Sequence, residues 1–504
     1  MRKILEGAVF WASFGAVLYI IRPRSSIHRT SMASLSRKQL LWIRMAVALV
    51  IAAVVFASNL SPMWNSTIND YKDQYERITE SFLNHRLDFD IPVDPRLLEM
   101  ENPYDTRMRD ALEVPYILDH AYYEGHYYMY FGVVPVFLAF LPYRLLTGEA
   151  LLSAYASQFF AGIFIIGLAV YFLWLAKRKF PQMTVVLFIL LLVLFSLLSV
   201  VYVAKFPALY QTPIACGMML EVWSLYFFSK AVWEERTERS AVRWAFGGSL
   251  LGALTFGCRP PLALANLLVI PLICQFLKGR KFTLRQAGRL LAAGAPYILV
   301  AAGLMWYNYV RFGNPLEFGQ RYQLTNDDQT GLGRIYGLND FVRILAVTWN
   351  TLFALPGLET DFPFLPIGIG AVASCPVLLF FLSWLRASSR SVLKEKGMLG
   401  FSVTLCAAVV TVVLLQAMWV PLIVERHKSD VLYLLSIGAF IGIGGWMTGQ
   451  TDRISASWKG CLAAFLCIVL VVMLFLVPDD LSYTAFYPGT AEWLWSRITF
   501  NLSW

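Results

Sequence analysis

The chain has 504 residues, 58% of them hydrophobic and only 15% charged, with a mean hydropathy of +0.58. That is too apolar for a soluble globular domain and marks a polytopic membrane protein. The net charge of +9 would suit nucleic acid, but the basic residues gather in short connectors between apolar runs. The surplus is therefore a topology signal, and no nucleic-acid partner is implied.

Apolar runs of spanning length lie at 4–21, 40–58, 150–175, 183–203, 207–229, 289–309, 362–386, 398–420, 430–448 and 460–477, with shorter ones at 129–146, 244–257 and 262–277. The run at 4–21 has signal-peptide length but no small-residue cleavage site, so it reads as an uncleaved helix. The connectors 22–38, 177–179, 278–289 and 386–397 are basic and are placed in the cytoplasm by the positive-inside rule. To keep that parity, 129–146 must be re-entrant or a short broken span. The fold class expected is an all-α polytopic membrane protein with eleven to thirteen membrane helices and a large first extracytoplasmic loop carrying juxtamembrane helices.

Six regions follow: N-terminal membrane helices (1–59), the outer acidic loop (60–128), a transmembrane core (129–309), a second outer loop (310–361), C-terminal membrane helices (362–477) and an outer tail (478–504). The acidic loop holds fourteen Asp or Glu against six Lys or Arg, a balance no basic connector shares. Within it Tyr71, Tyr75, Ile78 and Phe82 recur at helical spacing and predict an amphipathic helix on the membrane surface. The stretch 91–110 reads as irregular. It leads into "DHAYYEGHYYMYFGVVP" (119–135), where tyrosines suit interfacial anchoring but the acids Asp119 and Glu124 do not.

Polar groups inside apolar surroundings are the next signal. Arg259 stands before Pro260 and Pro261, where a helix must break. At membrane depth it needs an anionic partner or a wet cavity, unless it snorkels to the headgroups; Glu221 in "MMLEVWS" needs a partner on a neighbouring helix or a polar path. Arg311 and Arg321 flank the turn Gly313-Asn314-Pro315, with Glu317 between them, and suit either a phosphate or bulk anionic lipid. Arg426, His427 and Asp430 open a later helix, as part of the same site or as an ion pair at a helix start. The cysteines Cys216, Cys258, Cys274, Cys375, Cys406, Cys461 and Cys467 form no CxxC and read as small apolar residues.

The stretches "DQY" (73–75), 118–148, 307–324 and "ERHKSD" (425–430) together resemble bacterial membrane glycosyltransferases of the GT-C superfamily, which includes protein O-mannosyltransferases and lipid A aminoarabinose transferases. The resemblance implies a location in the bacterial cytoplasmic (inner) membrane, a polyprenyl-phosphate sugar donor, and an essential acid in the first outer loop. Asp73 is the closest match to that acid, Asp70 the next, and Asp119 matches a second acidic position. Adjacent acids are common in the superfamily but do not occur in the first outer loop here, and its Arg-Tyr pair stands here as Arg426-His427.

Transfer from a lipid phosphosugar has a good leaving group. It needs a carboxylate to take the acceptor's proton and fixed positive charge for the departing phosphate. Asp73, Asp119 or Asp70 can supply the first, and Arg259, Arg311, Arg321 and Arg426 the second. Tyr75, Tyr123, Tyr127 and Tyr128, with Glu317 and Asp430, are the expected substrate contacts. The expected partners are the donor, membrane lipids and an extracytoplasmic acceptor; a divalent metal is left open. A transporter or lipid flippase lined by Arg259 and Glu221 is the alternative, but "GCRPP" has no second copy of the kind transporter halves show. A structural membrane protein would need none of the outer acids. No Walker or dinucleotide motif is present.

Overall fold

The computed structural model describes residues 2–59, 74–205, 207–234, 237–279, 283–326, 337–355, 369–420 and 425–476. Two helices open the chain, α1 (Arg2–Ile20) and α2 (Arg37–Asn59). An outer layer follows: α3 (Gln74–Leu83), α4 (Pro95–Glu99), α5 (Thr106–Ala111), β1 (His120–Tyr123) and β2 (His126–Tyr128). A π-helical turn, Val136–Phe140, leads into α6 (Leu141–Thr147). The bundle then runs through α7 (Ser153–Arg178), α8 (Val185–Lys205), α9 (Gln211–Trp233), α10 (Glu238–Phe256), α11 (Pro260–Ala263), α12 (Val269–Leu277) and α13 (Leu284–Phe312). After β3 (Gln323–Leu324) come α14 (Leu338–Phe353), α15 (Ala371–Ser374), a 3-10 stretch (Pro376–Leu385), α16 (Ala387–Glu395), α17 (Leu399–Trp419), α18 (Glu425–Thr448) and α19 (Arg453–Leu476).

Among the described residues eight helices are long and apolar enough to cross a membrane, and Trp11–Ile20, Val136–Thr147 and Pro376–Leu385 are shorter apolar ones. The protein is an all-α polytopic membrane protein with one small sheet. Helices apolar on every side go to the centre: 89% of the apolar stretch of α18 is buried, against 17% for α13 on the perimeter. At that centre Phe172 of α7 stacks on Phe440 of α18 at 4.0 Å, and Phe188 of α8 meets the same ring edge-on at 6.1 Å.

Two expectations are corrected in the outer layer. The stretch 91–110 is irregular only in part, since two short helices interrupt it: Asp94 caps α4 through the Arg96 N–H, with Pro95 as first helical residue, and Asp105 caps α5 through the Arg107 and Met108 N–H groups. The tyrosine-rich stretch is a three-stranded antiparallel sheet, in the order β2-β1-β3, that the apolar periodicity did not announce. The surface helix forms as α3, but its apolar face packs on protein: Tyr75 stacks on Phe140 at 4.9 Å and Phe82 on Phe137 at 5.5 Å.

Candidate active site

The hairpin explains how Asp119 is held. Glu124 and Gly125 both take positive φ (47° and 78°), the pair a tight hairpin turn needs, and tyrosines on either side favour the strands. Asp119, one residue before β1, is itself left-handed at φ 59°. Its N–H bonds the Leu324 carbonyl at 2.8 Å, and its carbonyl accepts from Gln74 Nε2 of α3 at 2.9 Å. With its backbone fixed from two sides, its carboxylate accepts Gln323 Nε2 on Oδ1 at 2.9 Å and the Tyr210 hydroxyl on Oδ2.

The basic side of the site comes from the proline break. The carbonyl of Gly257, freed where α10 ends, accepts the Val134 N–H at 3.1 Å. Gly132 makes that approach possible: a Cβ there would lie 2.1 Å from the Cys258 carbonyl oxygen. The Tyr75 hydroxyl closes the same loop on the Gly132 carbonyl at 3.1 Å. Arg259 follows in extended conformation and gives its Nε to both oxygens of Asp430 at 2.9 Å. Asp430 is fully buried and also accepts Gln416 Nε2 at 2.6 Å. That is the compensation a buried carboxylate requires.

Arg259 thus has its anionic partner, and its two terminal nitrogens make no hydrogen bond among the described residues. Arg426 lays its guanidinium over the Tyr210 ring at 4.5 Å. Tyr130 lies within the fields of all three groups: burial raises its hydroxyl's pKa most, Asp119 adds to that, and Arg426 and Arg259 oppose it. Burial and then Asp119 raise Tyr210 likewise. Both phenols therefore stay protonated as donors at neutral pH. Asp119, Tyr130, Tyr210, Gln323, Arg426, Arg259 and Asp430 form one polar cluster where the outer layer meets the bundle.

Other expected residues fall elsewhere. Asp70 and Asp73 lie outside the described residues, although Gln74, next to Asp73 in sequence, is the side chain on Asp119. Arg311, an expected phosphate ligand, meets acceptors of its own chain. It is 5% exposed, with Nη1 on the Met129 carbonyl at 2.6 Å, Nη2 on Asn308 at 2.9 Å, and Nε on the Tyr307 carbonyl at 3.4 Å. Arg321 does not join the cluster: its side chain is 84% exposed beside Glu317 at 3.7 Å. Glu317 caps a turn through the Gly319 N–H.

The expected substrate-binding tyrosines pack against the protein itself. Tyr127 and Tyr75 are core residues, at 2% and 0% exposure, and cannot offer a stacking face to a sugar without opening the fold. Tyr123 and Tyr128 pack on Phe312, at 5.7 and 5.4 Å, and Tyr123 also meets Tyr322 at 4.6 Å, in a separate aromatic patch. Asp430 is the counter-ion of Arg259 and too buried to meet a substrate first. Glu221 is buried in α9 at 0% exposure.

Sequence reasoning missed Tyr210, Gln323, Tyr130 and Gln416 as members of the site. Gln416, a lone amide in the apolar run "VVLLQAMW", was the one detectable signal. Among the described residues no group of three His, Cys, Asp or Glu is placed to hold a metal ion. The cluster itself offers one unpaired carboxylate, Asp119, with amide and phenol neighbours, a poor set for a divalent cation.

No family model and no curated protein matches the chain. Its structure is similar to that of ArnT from Cupriavidus metallidurans bound to undecaprenyl phosphate, with a TM-score of 0.43 and 11% identity, covering 90% of this chain and 75% of that one. It is also similar to the archaeal oligosaccharyltransferase AglB from Archaeoglobus fulgidus in complex with an inhibitory peptide and a dolichol-phosphate, with a TM-score of 0.43, 13% identity and 92% of this chain covered. The oligosaccharyltransferase of the same organism tethered to an acceptor peptide gives a TM-score of 0.42, 13% identity and 90% coverage. The chain spans 60% and 58% of the lengths of those two archaeal chains.

Proposed function

We propose that the protein transfers a sugar from a polyprenyl-phosphate donor to an acceptor on the outer side of the bacterial cytoplasmic membrane, at the Asp119 cluster. The observation that supports this reading is the pairing of an oriented carboxylate, Asp119, with two guanidinium groups, Arg259 and Arg426, across Tyr210 and Tyr130.

In this reading the terminal nitrogens of Arg259 and the guanidinium of Arg426 receive the donor phosphate as its bond to the sugar breaks. Positive charge fixed before the reaction stabilises the developing phosphate without reorganisation. Asp119, its carboxyl group oriented by Gln323 and Tyr210, positions the acceptor hydroxyl or amine. Asp73 takes the acceptor's proton as the new glycosidic bond forms at the anomeric carbon, and the lipid phosphate departs with the electron pair. A general acid is unnecessary because phosphate is already a good leaving group.

The test is transfer of labelled sugar from a polyprenyl-phosphate donor by the purified protein in liposomes. Asp73→Asn should lower kcat by about 100- to 10,000-fold, because an amide cannot accept the proton. Asp119→Asn should cost less, and Asp70→Asn least. A dead Asp119→Asn beside an active Asp73→Asn moves the base to Asp119. Near-normal turnover in all three, with folding intact, removes the enzyme reading.

A further inference from the structure

At the end of the bundle opposite Asp119, four helices leave a cavity of about 260 Å3 between α9, α10, α12 and α13. Its walls include Ala245, Leu272, Phe276 and Ala293, and Tyr297 closes its deep end. Tyr297 is no free polar group there, since its hydroxyl donates to Asn266. The mouth is marked by Glu238 and Arg289, which form an ion pair. Ile273 at the edge is 38% exposed, so the cavity opens on the bilayer-facing surface.

Among the described residues the charge around the mouth is mainly basic. Arg239 and Arg243 at the start of α10, Lys278 just past α12 and Arg285 at the start of α13 are all exposed, and Glu238 is paired with Arg289. A narrow apolar slot beneath a basic rim matches a molecule with one long hydrocarbon chain to insert and a negative head to leave outside. From these observations we infer that the cavity holds one acyl chain of an anionic phospholipid, whose phosphate lies against Arg289 and the basic rim.

This site is independent of the sugar-transfer reading. Glu238 and Arg259 are 21 positions apart along α10 and its continuation, about 30 Å at the helical rise, so a phosphate at the mouth is not the phosphate that Arg259 would hold. The lipid's role follows from its place. It wedges α10 against α13, and α10 carries the break that presents Arg259.

Native mass spectrometry of the purified protein with dioleoyl phosphatidylglycerol and dioleoyl phosphatidylcholine tests the site. The wild type should retain one phosphatidylglycerol about tenfold over phosphatidylcholine, because the rim charges act near the headgroup. Ala245→Trp fills the slot and should abolish that adduct. Leu299→Trp, on the 69% exposed face of α13, should leave it unchanged. Arg289→Gln should keep an adduct but lose much of the headgroup preference. If Ala245→Trp does not fold, Arg289→Gln decides: an unchanged preference overturns the proposal. Equal retention of both lipids by the wild type, or an adduct surviving in folded Ala245→Trp, overturns it too. Displacement of phosphatidylglycerol by a polyprenyl phosphate, with donor turnover lost in Ala245→Trp, would assign the slot to the donor's tail instead.

Discussion

Tyr210, in the short turn between α8 and α9, donates its hydroxyl to Oδ2 of Asp119, 91 residues earlier in the chain, while its ring supports the guanidinium of Arg426 at 4.5 Å. One side chain thus touches both the carboxylate and the cation of the proposed site, through different atoms. The two functions can be separated by substitution.

Tyr210→Phe removes the hydroxyl and keeps the ring. A hydrogen bond to a charged group contributes about 1.5–3 kcal/mol, so kcat should fall roughly tenfold or more while the donor KM stays near wild type. Tyr210→Leu removes the ring as well and should raise the donor KM in addition. A raised KM with unchanged kcat in Tyr210→Phe would place the hydroxyl on the donor instead of on Asp119.

Arg259 has two separable functions as well. Arg259→Ala leaves Asp430, at 0% exposure, without its counter-ion, a loss of about 3–5 kcal/mol of stability. Adding Asp430→Asn should restore much of the melting temperature and none of the transfer. Arg259→Lys keeps the charge and loses the planar fork, so the protein should fold and its donor KM should rise. If the double variant recovers activity along with stability, Arg259 is only structural.

The two arginines on either side of the Gly313 turn should behave oppositely. Arg311→Lys cannot serve three acceptors in fixed directions and also cover the Tyr307 ring at 3.8 Å, so about 1–3 kcal/mol of stability should go. Turnover per folded molecule should hold. Arg321→Ala removes an exposed side chain beside Glu317 and should change neither melting temperature nor kcat/KM by more than about twofold. A large rise in donor KM for Arg321→Ala would return that residue to the phosphate site.

These cases show what the sequence could and could not convey. The long helices were legible because a run such as 183–203 is apolar on every side, and the break at Arg259 was legible because two prolines permit nothing else. The sheet was not, since strands of four, three and two residues are too short for a period-2 pattern to register. The Glu124-Gly125 turn between tyrosine pairs was the available clue, and tyrosine at a membrane boundary had a simpler explanation in anchoring. Arg311 shows the other limit. A guanidinium near a turn reads the same whether it faces a phosphate or its own chain's carbonyls, and only burial separates the two. Tyr210 joins the site through the packing of α7, α8 and α9, a long-range relationship that no local window contains.

Gly132 ties the outer layer to the break in α10. A Cβ at that position would stand 2.1 Å from the Cys258 carbonyl and 2.3 Å from that of Gly257, both backbone atoms that cannot rotate away. Gly132→Ala should therefore displace the loop from Tyr130 to Val134, weakening the Tyr75 and Val134 hydrogen bonds. Turnover should fall by at least an order of magnitude, a 1.4 kcal/mol misplacement of Tyr130 against Arg259, with a smaller loss of helicity by circular dichroism. Wild-type turnover would show that this contact does not position the site.

The outer layer should also set the acid limit of the protein. Asp88 is partly buried, which alone would raise its carboxyl, but Arg86 holds it through two hydrogen bonds, at 2.8 and 3.3 Å, and the net shift is downward from the ordinary value. His126 of β2 contacts the same carboxylate at 3.0 Å, and the adjacent Phe89 N–H bonds the Tyr127 carbonyl, so Asp88 clips its segment to the hairpin that carries Asp119. A carboxyl whose folded pKa is depressed contributes stability above its unfolded value and loses that contribution as pH falls through the folded value. Asp88→Asn should thus lower the melting temperature at neutral pH by the equivalent of about 1 kcal/mol, given that Arg86 is partly exposed to solvent. The gap from wild type should begin to narrow as the pH drops below the ordinary carboxylate value of about 4 and close once it passes the lower folded value, where the wild-type carboxyl also becomes neutral. Thermal melts of both proteins in the same detergent from pH 3 to pH 8 provide the measurement. A gap that persists unchanged at the lowest pH would mean that Asp88 acts by its shape and hydrogen bonds and not by its charge.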